Sequence, residues 1–288
     1  MTDPTLTCLF VTDLHGSAHR YETLFRLLAK ERPGALFMGG DLLPHGFSAL
    51  TAGGGDFLED VFFSGFRRLR DELGDEAPRV FLILGNDDGR MEEEAFRAGE
   101  AEGLWEYIHG RRVEYGGHPV YGYAYVPPTP FLLKDWERYD VSRFTDVGCV
   151  SPERGKRSVP VPDNEVRYGT ISQDLEALTG DDDLSRAVML FHSPPHDTAL
   201  DRAALDGKMV DHVPLDVHVG SIAIRRFIEA RQPMLTLHGH IHEAARITGT
   251  WMERIGETVC IGGAHDGGEL AVVSFTLSDP AAAERRLL

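Results

Sequence analysis

Seven side chains define the chemistry open to this chain: Asp13 and His15, Asp41, Asn86, His192, and His240 with His242. All offer oxygen or imidazole nitrogen and none a thiolate, a donor set that suits a pair of hard or borderline divalent metals such as Mn, Fe, Ni or Zn. Each follows a short apolar run. Leu6 to Val11 breaks at Thr12-Asp13-Leu14-His15-Gly16, Ala35 to Met38 at Gly39-Gly40-Asp41, and Val80 to Leu84 at Gly85-Asn86-Asp87-Asp88. Ala187 to Phe191 ends at His192-Ser193-Pro194-Pro195, and Met234 to Leu237 at His238-Gly239-His240-Ile241-His242. Asp13 and His15 are two apart, as are His240 and His242, so extended backbone points both members of each pair to one face. Glycine beside Asp41, Asn86 and His240 lets the chain turn tightly enough to present the donor. A lone aspartate after a strand is more often a turn residue or a helix cap. Seven donors at five strand ends point to metal binding instead.

Helices alternate with these runs. Ala18 to Lys30, Phe57 to Leu73, Met91 to Glu102, Ser172 to Leu178 and Ile222 to Ala230 carry helical spacing, and Val259 to Ile261 and Leu270 to Leu277 read as closing strands. Strand and helix in alternation predict an α/β sheet with its ligand-binding loops at the carboxyl ends of the strands. Gly110 to Val126 alternates with period two about Gly116-Gly117, a hairpin. From Pro127 to Arg167 the prolines are too frequent for a regular element, and Phe131, Trp136, Tyr139 and Phe144 are too apolar for a disordered linker. The segment at about 123–167 is therefore expected to be a specificity loop covering the metal site, with Lys134 and Trp136 as substrate contacts; His196 is a further candidate contact. No internal repeat and no linker divides the chain, so residues 1–288 read as one domain.

In order, Asp13-x-His15, Gly40-Asp41, Gly85-Asn86-x-Asp88, His192 and Gly239-His240-x-His242 resemble the calcineurin-like metallophosphoesterases, dinuclear phosphatases and phosphodiesterases. The resemblance runs from residue 6 to about residue 275. It implies a four-layer αββα sandwich of two mixed β-sheets flanked by helices. It also implies that Asp13, His15, Asp41 and His242 hold one metal and Asp41, Asn86, His192 and His240 the other, with Asp41 bridging. Two cations in such a site polarise water and clamp the phosphoryl oxygens for in-line attack, so no side-chain nucleophile is needed. Asp41, Asn86 and His240 are then the residues closest to the chemistry, and manganese is the ion expected to support turnover in assays.

One position departs from the family. Many members read Gly-Asn-His-Glu or Gly-Asn-His-Asp, where the histidine is regarded as the proton donor to the leaving group; here Asp87 takes its place. Nearby divalent cations favour the ionised carboxylate, which cannot donate. Relatives with Gly-Asn-x-Asp resemble a phosphodiesterase branch, so a small phosphate diester is the expected substrate, with a phosphomonoester or a non-catalytic metal-binding scaffold as alternatives. His196 and Lys134 are the surrogate donors to consider, and Asp87 itself would border the substrate.

The remaining composition narrows the field. Twenty-nine lysines and arginines against 46 aspartates and glutamates leave a net charge of −17, which disfavours long nucleic acids and acidic membranes while allowing a small anion drawn in by metals. Cys8, Cys149 and Cys260 show no CxxC spacing, so neither a disulfide framework nor a thiolate zinc site is expected. No GxxxxGK[ST] occurs, and Gly53-Gly54-Gly55 is not set between a strand and a helix, which removes kinase and dehydrogenase readings. With no long apolar stretch and no leader-like amino terminus, the expected location is cytoplasmic. Oligomeric state is not legible.

Overall fold

A computed structural model describes residues 7–44 and 56–288. Leu6 and Gly53-Gly54-Gly55 lie outside them. The first half runs β1 (Thr7–Val11), α1 (Ala18–Glu31), β2 (Ala35–Gly39), α2 (Ser64–Leu73), β3 (Arg79–Ile83), α3 (Glu93–Ala101), β4 (Glu106–Tyr107), β5 (Arg111–Tyr115) and β6 (His118–Tyr123). It continues through α4 (Asp163–Tyr168), α5 (Ile171–Thr179), β7 (Val188–Phe191), β8 (Met209–Val210), β9 (Val213–Pro214), α6 (Ile222–Arg231), β10 (Leu235–His238) and α7 (Ala244–Thr248). Strands β11 (Met252–Ile255), β12 (Thr258–Gly262), β13 (Ala271–Thr276) and β14 (Asp279–Leu287) finish the chain.

Two six-stranded mixed sheets result, ordered β14-β13-β1-β2-β3-β4 and β11-β12-β10-β7-β6-β5. In the first, β1 to β4 are parallel and β13 and β14 antiparallel. In the second, β12, β10, β7 and β6 are parallel, with β11 and β5 as antiparallel edges. Helices flank the pair, and the sheets meet face to face where β2 and β3 approach β6 and β7. The central strands are covered on both faces, so β2, β7 and β10 are buried at every position, which is why β2 and β7 read as continuous apolar runs, while β10 buries Thr236 and His238 among its leucines. That packing sets the carboxyl ends of β1, β2 and β3 opposite those of β7 and β10.

Local chemistry fixes the helix ends. The Ser17 hydroxyl accepts the Arg20 N–H at the start of α1, and Tyr21, Leu24, Leu27 and Leu28 turn inward from it. Thr170 and Ser221 cap α5 and α6 in the same way. The Phe57 to Leu73 helix differs from expectation in its first part: Leu58–Phe63 is a π-helical turn that feeds into α2. There Phe62 sets edge-on contacts to Tyr21, Phe96 and Trp105, with ring centroids 5.0–5.6 Å apart.

The proline-rich segment is irregular and ordered. Isolated β-bridges join Val126 to Glu137, Leu133 to Lys156 and Tyr139 to Thr170. Asp135 accepts the Arg90 N–H and Ser158 the Met91 N–H, while Asp140 accepts from the Ser221 hydroxyl and from the Ile222 and Ala223 N–H groups at the start of α6. These contacts place it against the stretch that follows Asn86.

Candidate metal centre

The seven donors converge where the two sheets meet. Asp13, His15, Asp41 and His242 bring one ligand atom each within 4.8 Å of one another, and so do Asp41, His192 and His240. Asp41 belongs to both groups. Its Oδ2 lies 3.3 Å from His192 Nε2 and 4.0 Å from His15 Nε2, while its Oδ1 accepts the Asp87 N–H at 2.8 Å. His15 Nε2 and His242 Nε2 are 3.0 Å apart, and His242 Nε2 is 3.2 Å from Asp13 Oδ1. Asn86 Oδ1 sits 3.1 Å from His192 Nε2, which brings the carboxamide to the second group.

The backbone reaches this arrangement differently from the extended pairs expected at Asp13-x-His15 and His240-x-His242. Asp13, His15, Asp41 and His240 all have left-handed backbone, with φ of 56°, 47°, 51° and 75°. Aspartate and histidine tolerate this region better than most residues, yet four such residues in one cluster store strain that the surrounding structure must hold. Kinks after the strands, not period-two alternation, aim the donors. Glycine also works by a second route. A Cβ on Gly85 would collide with Asp41 Oδ1, and one on Gly239 with the Thr12 hydroxyl, so both loops approach a neighbour more closely than any side chain permits.

Hydrogen bonds lock the donors in place. Thr12 Oγ1 donates to Asp13 Oδ2 at 2.7 Å, the Arg20 guanidinium donates to the Asp13 carbonyl at 2.7 Å, and His192 Nδ1 lies 2.7 Å from the Gly39 carbonyl. With Nδ1 donating to that carbonyl, His192 Nε2 is left as the ligand atom. Burial disfavours charge on Asp13 and Asp41, but His242 beside the first and His192 beside the second outweigh it and hold both carboxyls below the usual range. Burial lowers His192 and His242 as well, yet Asp41 pushes His192 up to about 10 and Asp13 pushes His242 up to about 9. His240 goes the other way, down to about 3, from burial and the charge of His192. A divalent cation bound there would supply the positive charge that Asp13 and Asp41 favour, and would require His192 and His242 as neutral imidazoles. Two clustered sets of nitrogen and oxygen donors sharing one carboxylate fit a pair of divalent cations.

A family model for calcineurin-like phosphoesterases matches residues 6–244. The chain belongs to that family. Its fold is shared with TT1561 of Thermus thermophilus, at 14% identity and a TM-score of 0.56 over 98% of each chain. A dimetal phosphatase from Danio rerio is similar at 13% identity and a TM-score of 0.50, covering 95% of this chain and 94% of that one. No curated protein matches. Family membership brings with it phosphoric ester hydrolysis and a site for two divalent metals.

Asp88 has a part in the centre that the motif alone did not assign. Fully buried, it accepts the N–H groups of Leu42 at 3.0 Å, Leu43 at 2.8 Å and Gly85 at 2.8 Å, and so ties the Asp41 loop to the Asn86 loop. Burial and the charge of Asp41 raise its pKa to about 7. Asp87 lies at the rim, its Oδ2 3.8 Å from His15 Nδ1 and its side chain one quarter exposed.

Three candidate substrate contacts stand elsewhere. Lys134 is buried, with its ammonium on the Glu137 carboxylate and the Thr129 carbonyl, so it has no free face for a substrate or a leaving group. Trp136 is fully buried against His109 and Tyr125 and cannot stack on a ligand. Both are corrections: the pairing of Lys134 with a carboxylate three residues on makes it structural, and Trp136 packs beneath the segment. His196 is partly exposed, with Nε2 3.6 Å from Asp216 Oδ2 and its ring beside His218, in a carboxylate-rich group of its own. His238, on the same strand as the ligand loop, stacks on Phe191 and contacts Ser193 and Thr236, a packing role. Among the described residues, no helix is long and apolar enough to cross a membrane.

Proposed function

We propose that this chain is a metal-dependent phosphodiesterase that hydrolyses a small phosphate diester at a dinuclear centre formed by Asp13, His15, Asp41, Asn86, His192, His240 and His242. The observation that carries the reading is Asp41, one buried carboxylate common to two sets of metal-type donors. With cations bound, the centre supplies activated water and positive charge for the phosphoryl oxygens. The chain's own residues do the rest. Asp13 and Asp41 are held ionised for ligation, His192 and His240 present imidazole from the second sheet, and Asn86 adds a neutral oxygen that leaves net charge for the substrate.

Asp87 supports the diester over the monoester. It occupies the place from which many relatives offer a histidine, and a carboxylate beside cations stays ionised and acts as acceptor only. Without an acid at that point, esters with good leaving groups react best. The net charge of −17 speaks against a long polyanionic substrate.

The test compares bis(4-nitrophenyl) phosphate with 4-nitrophenyl phosphate on protein loaded with Mn²⁺ and on chelator-treated protein. Turnover restored by metal, with higher kcat/KM for the diester, is expected. Preference for the monoester makes the chain a phosphatase. No turnover with Mn, Fe, Ni or Zn makes it a scaffold.

A further inference from the structure

Arg20 sits in the first turn of α1, where a cation opposes the positive end of the helix dipole and no acidic residue in that turn offsets it. What its guanidinium reaches explains the placement. Nη1 donates to the Asp13 carbonyl at 2.7 Å, and Nη2 donates to the Gly267 carbonyl. A planar fork of fixed donors can bridge carbonyls on two separate loops, whereas an ammonium on a flexible stem is a compact point charge. Glu269, on the same loop as Gly267, feels the charge of Arg20 less than it feels its own backbone and His265. The partners of Arg20 are therefore two peptide carbonyls.

The two carbonyls are held very differently. The Gly267 loop is anchored on its own: the Gly263 N–H donates to the His238 carbonyl at 2.8 Å, Arg285 donates to the Ala264 carbonyl at 2.8 Å, and Arg246 of α7 donates to Asp266 at 2.6 Å. Asp13, by contrast, has left-handed backbone, a conformation that persists only where the surroundings over-determine it. Its N–H donates to the Gly40 carbonyl at 2.9 Å, and its carboxylate accepts from the Thr12 hydroxyl and the His240 N–H. Arg20 takes the carbonyl on the other side of the same Cα. Both peptide groups that flank the side chain are then pinned, and the carboxylate can point only one way.

We propose that Arg20 is a positioning residue for the metal position formed by Asp13, His15, Asp41 and His242, and that it does so by passing the rigidity of the loop after β12 to the turn at Asp13. This rests on the dinuclear reading of the centre. Asp13 belongs to that donor group and not to the group of Asp41, His192 and His240, so the effect falls mainly on one metal position of the two. A residue that served the fold alone would alter both positions alike or neither.

The experiment titrates chelator-treated full-length protein with Mn²⁺ by calorimetry. Wild type is expected to take up two ions. In Arg20→Ala one of them should bind about 10–100-fold more weakly, the usual cost of losing a group that orients a ligand, while the other stays near its wild-type affinity. Arg20→Lys keeps the charge without the fork and should fall between. Circular dichroism checks folding, and if Arg20→Ala does not fold, Arg20→Lys is read in its place for the same selective loss. Two ions at wild-type affinity in the folded variant, or both weakened alike, overturns the proposal. If wild type takes up fewer than two ions, the dinuclear reading falls, and amide exchange decides the positioning role. Faster exchange in the variant at the His240 N–H, which rests on the Asp13 carboxylate, with the Gly85 N–H on Asp88 unchanged, supports it. Unchanged exchange at His240, or equal acceleration at both amides, overturns it.

Discussion

The N–H of His240 donates to the carboxylate of Asp13, 3.0 Å from Oδ1 and 3.1 Å from Oδ2, across 227 residues of sequence. One donor is therefore oriented by the backbone of another, and the bond joins the loop after β1 to the loop after β10. The two sheets are registered to each other at the centre itself. Changes to a donor should accordingly be felt in metal content first and in the fold second.

Asp41 is the sharpest case. Because its carboxylate belongs to both donor groups, Asp41→Ala should weaken both metal positions, while the loss of a neighbouring orienting residue typically costs about 10–100-fold in affinity. A ligand common to both positions should cost more than that, with turnover falling in step. Metal per chain by plasma mass spectrometry, with circular dichroism as a check on folding, measures this. Two tightly held metals and wild-type turnover in Asp41→Ala would remove it from the centre.

Asp88 should act on stability as well as activity. Its side chain serves three buried N–H groups, and leaving a buried donor unpaired costs about 1–3 kcal/mol. Asp88→Ala is expected to lower Tm by roughly 5–10 °C and to reduce kcat by letting the Asp41 and Asn86 loops separate. Asp88→Asn, which keeps one accepting oxygen, should fall between. Scanning calorimetry reads the order; equal melting of all three proteins contradicts it.

Acid should destabilise the fold through histidines outside the centre. Burial pushes His109 down to about 3 and His238 down to about 4, both below the value of 6.5 for a free imidazole. As pH falls below about 6.5 the unfolded chain takes up these protons and the native state does not, so stability drops until the native values are reached. Each group contributes up to about 1.4 kcal/mol per pH unit. His109 Nδ1 accepts the Ala124 N–H at 3.0 Å, a bond that His109→Gln can keep through its amide oxygen without titrating. Urea unfolding of chelator-treated protein from pH 6.5 to 4.5 should show a shallower loss for His109→Gln than for wild type. Parallel slopes would rule His109 out as a source.

The legible parts of this molecule were those set by burial on both faces. Strands β1, β2, β3, β7 and β10 are buried along most of their length, so they read as largely apolar runs, and a donor follows the end of each within three residues. Strand β14 was illegible for the opposite reason: Ala281 to Arg286 favour a helix by composition, and only the open edge of β13 turns them into a strand. The left-handed backbone at Asp13, His15, Asp41 and His240 has no sequence signal beyond residue type. Lys134 had one, the carboxylate of Glu137 three positions on, but burial of that pair depends on how the segment closes over Trp136.

The last prediction concerns the leaving group. Asp87 stands at the rim of the centre with its N–H on Asp41 and its carboxylate 3.8 Å from His15 Nδ1, so a side chain there borders both donor groups. As a carboxylate beside cations it cannot give up a proton, and Lys134, buried on Glu137, cannot act in its place. General acid assistance is typically worth about 10²–10⁴-fold, and it matters most when the departing alkoxide is basic. Wild type should therefore show a steep dependence of kcat/KM on leaving-group pKa across matched aryl and alkyl esters. Asp87→His restores a group that can be protonated near neutral pH, so it should flatten that dependence by raising alkyl-ester rates more than aryl-ester rates, with metal content unchanged. A wild-type enzyme that prefers alkyl monoesters, or an Asp87→His variant with the same dependence as wild type, would show that the proton comes from elsewhere.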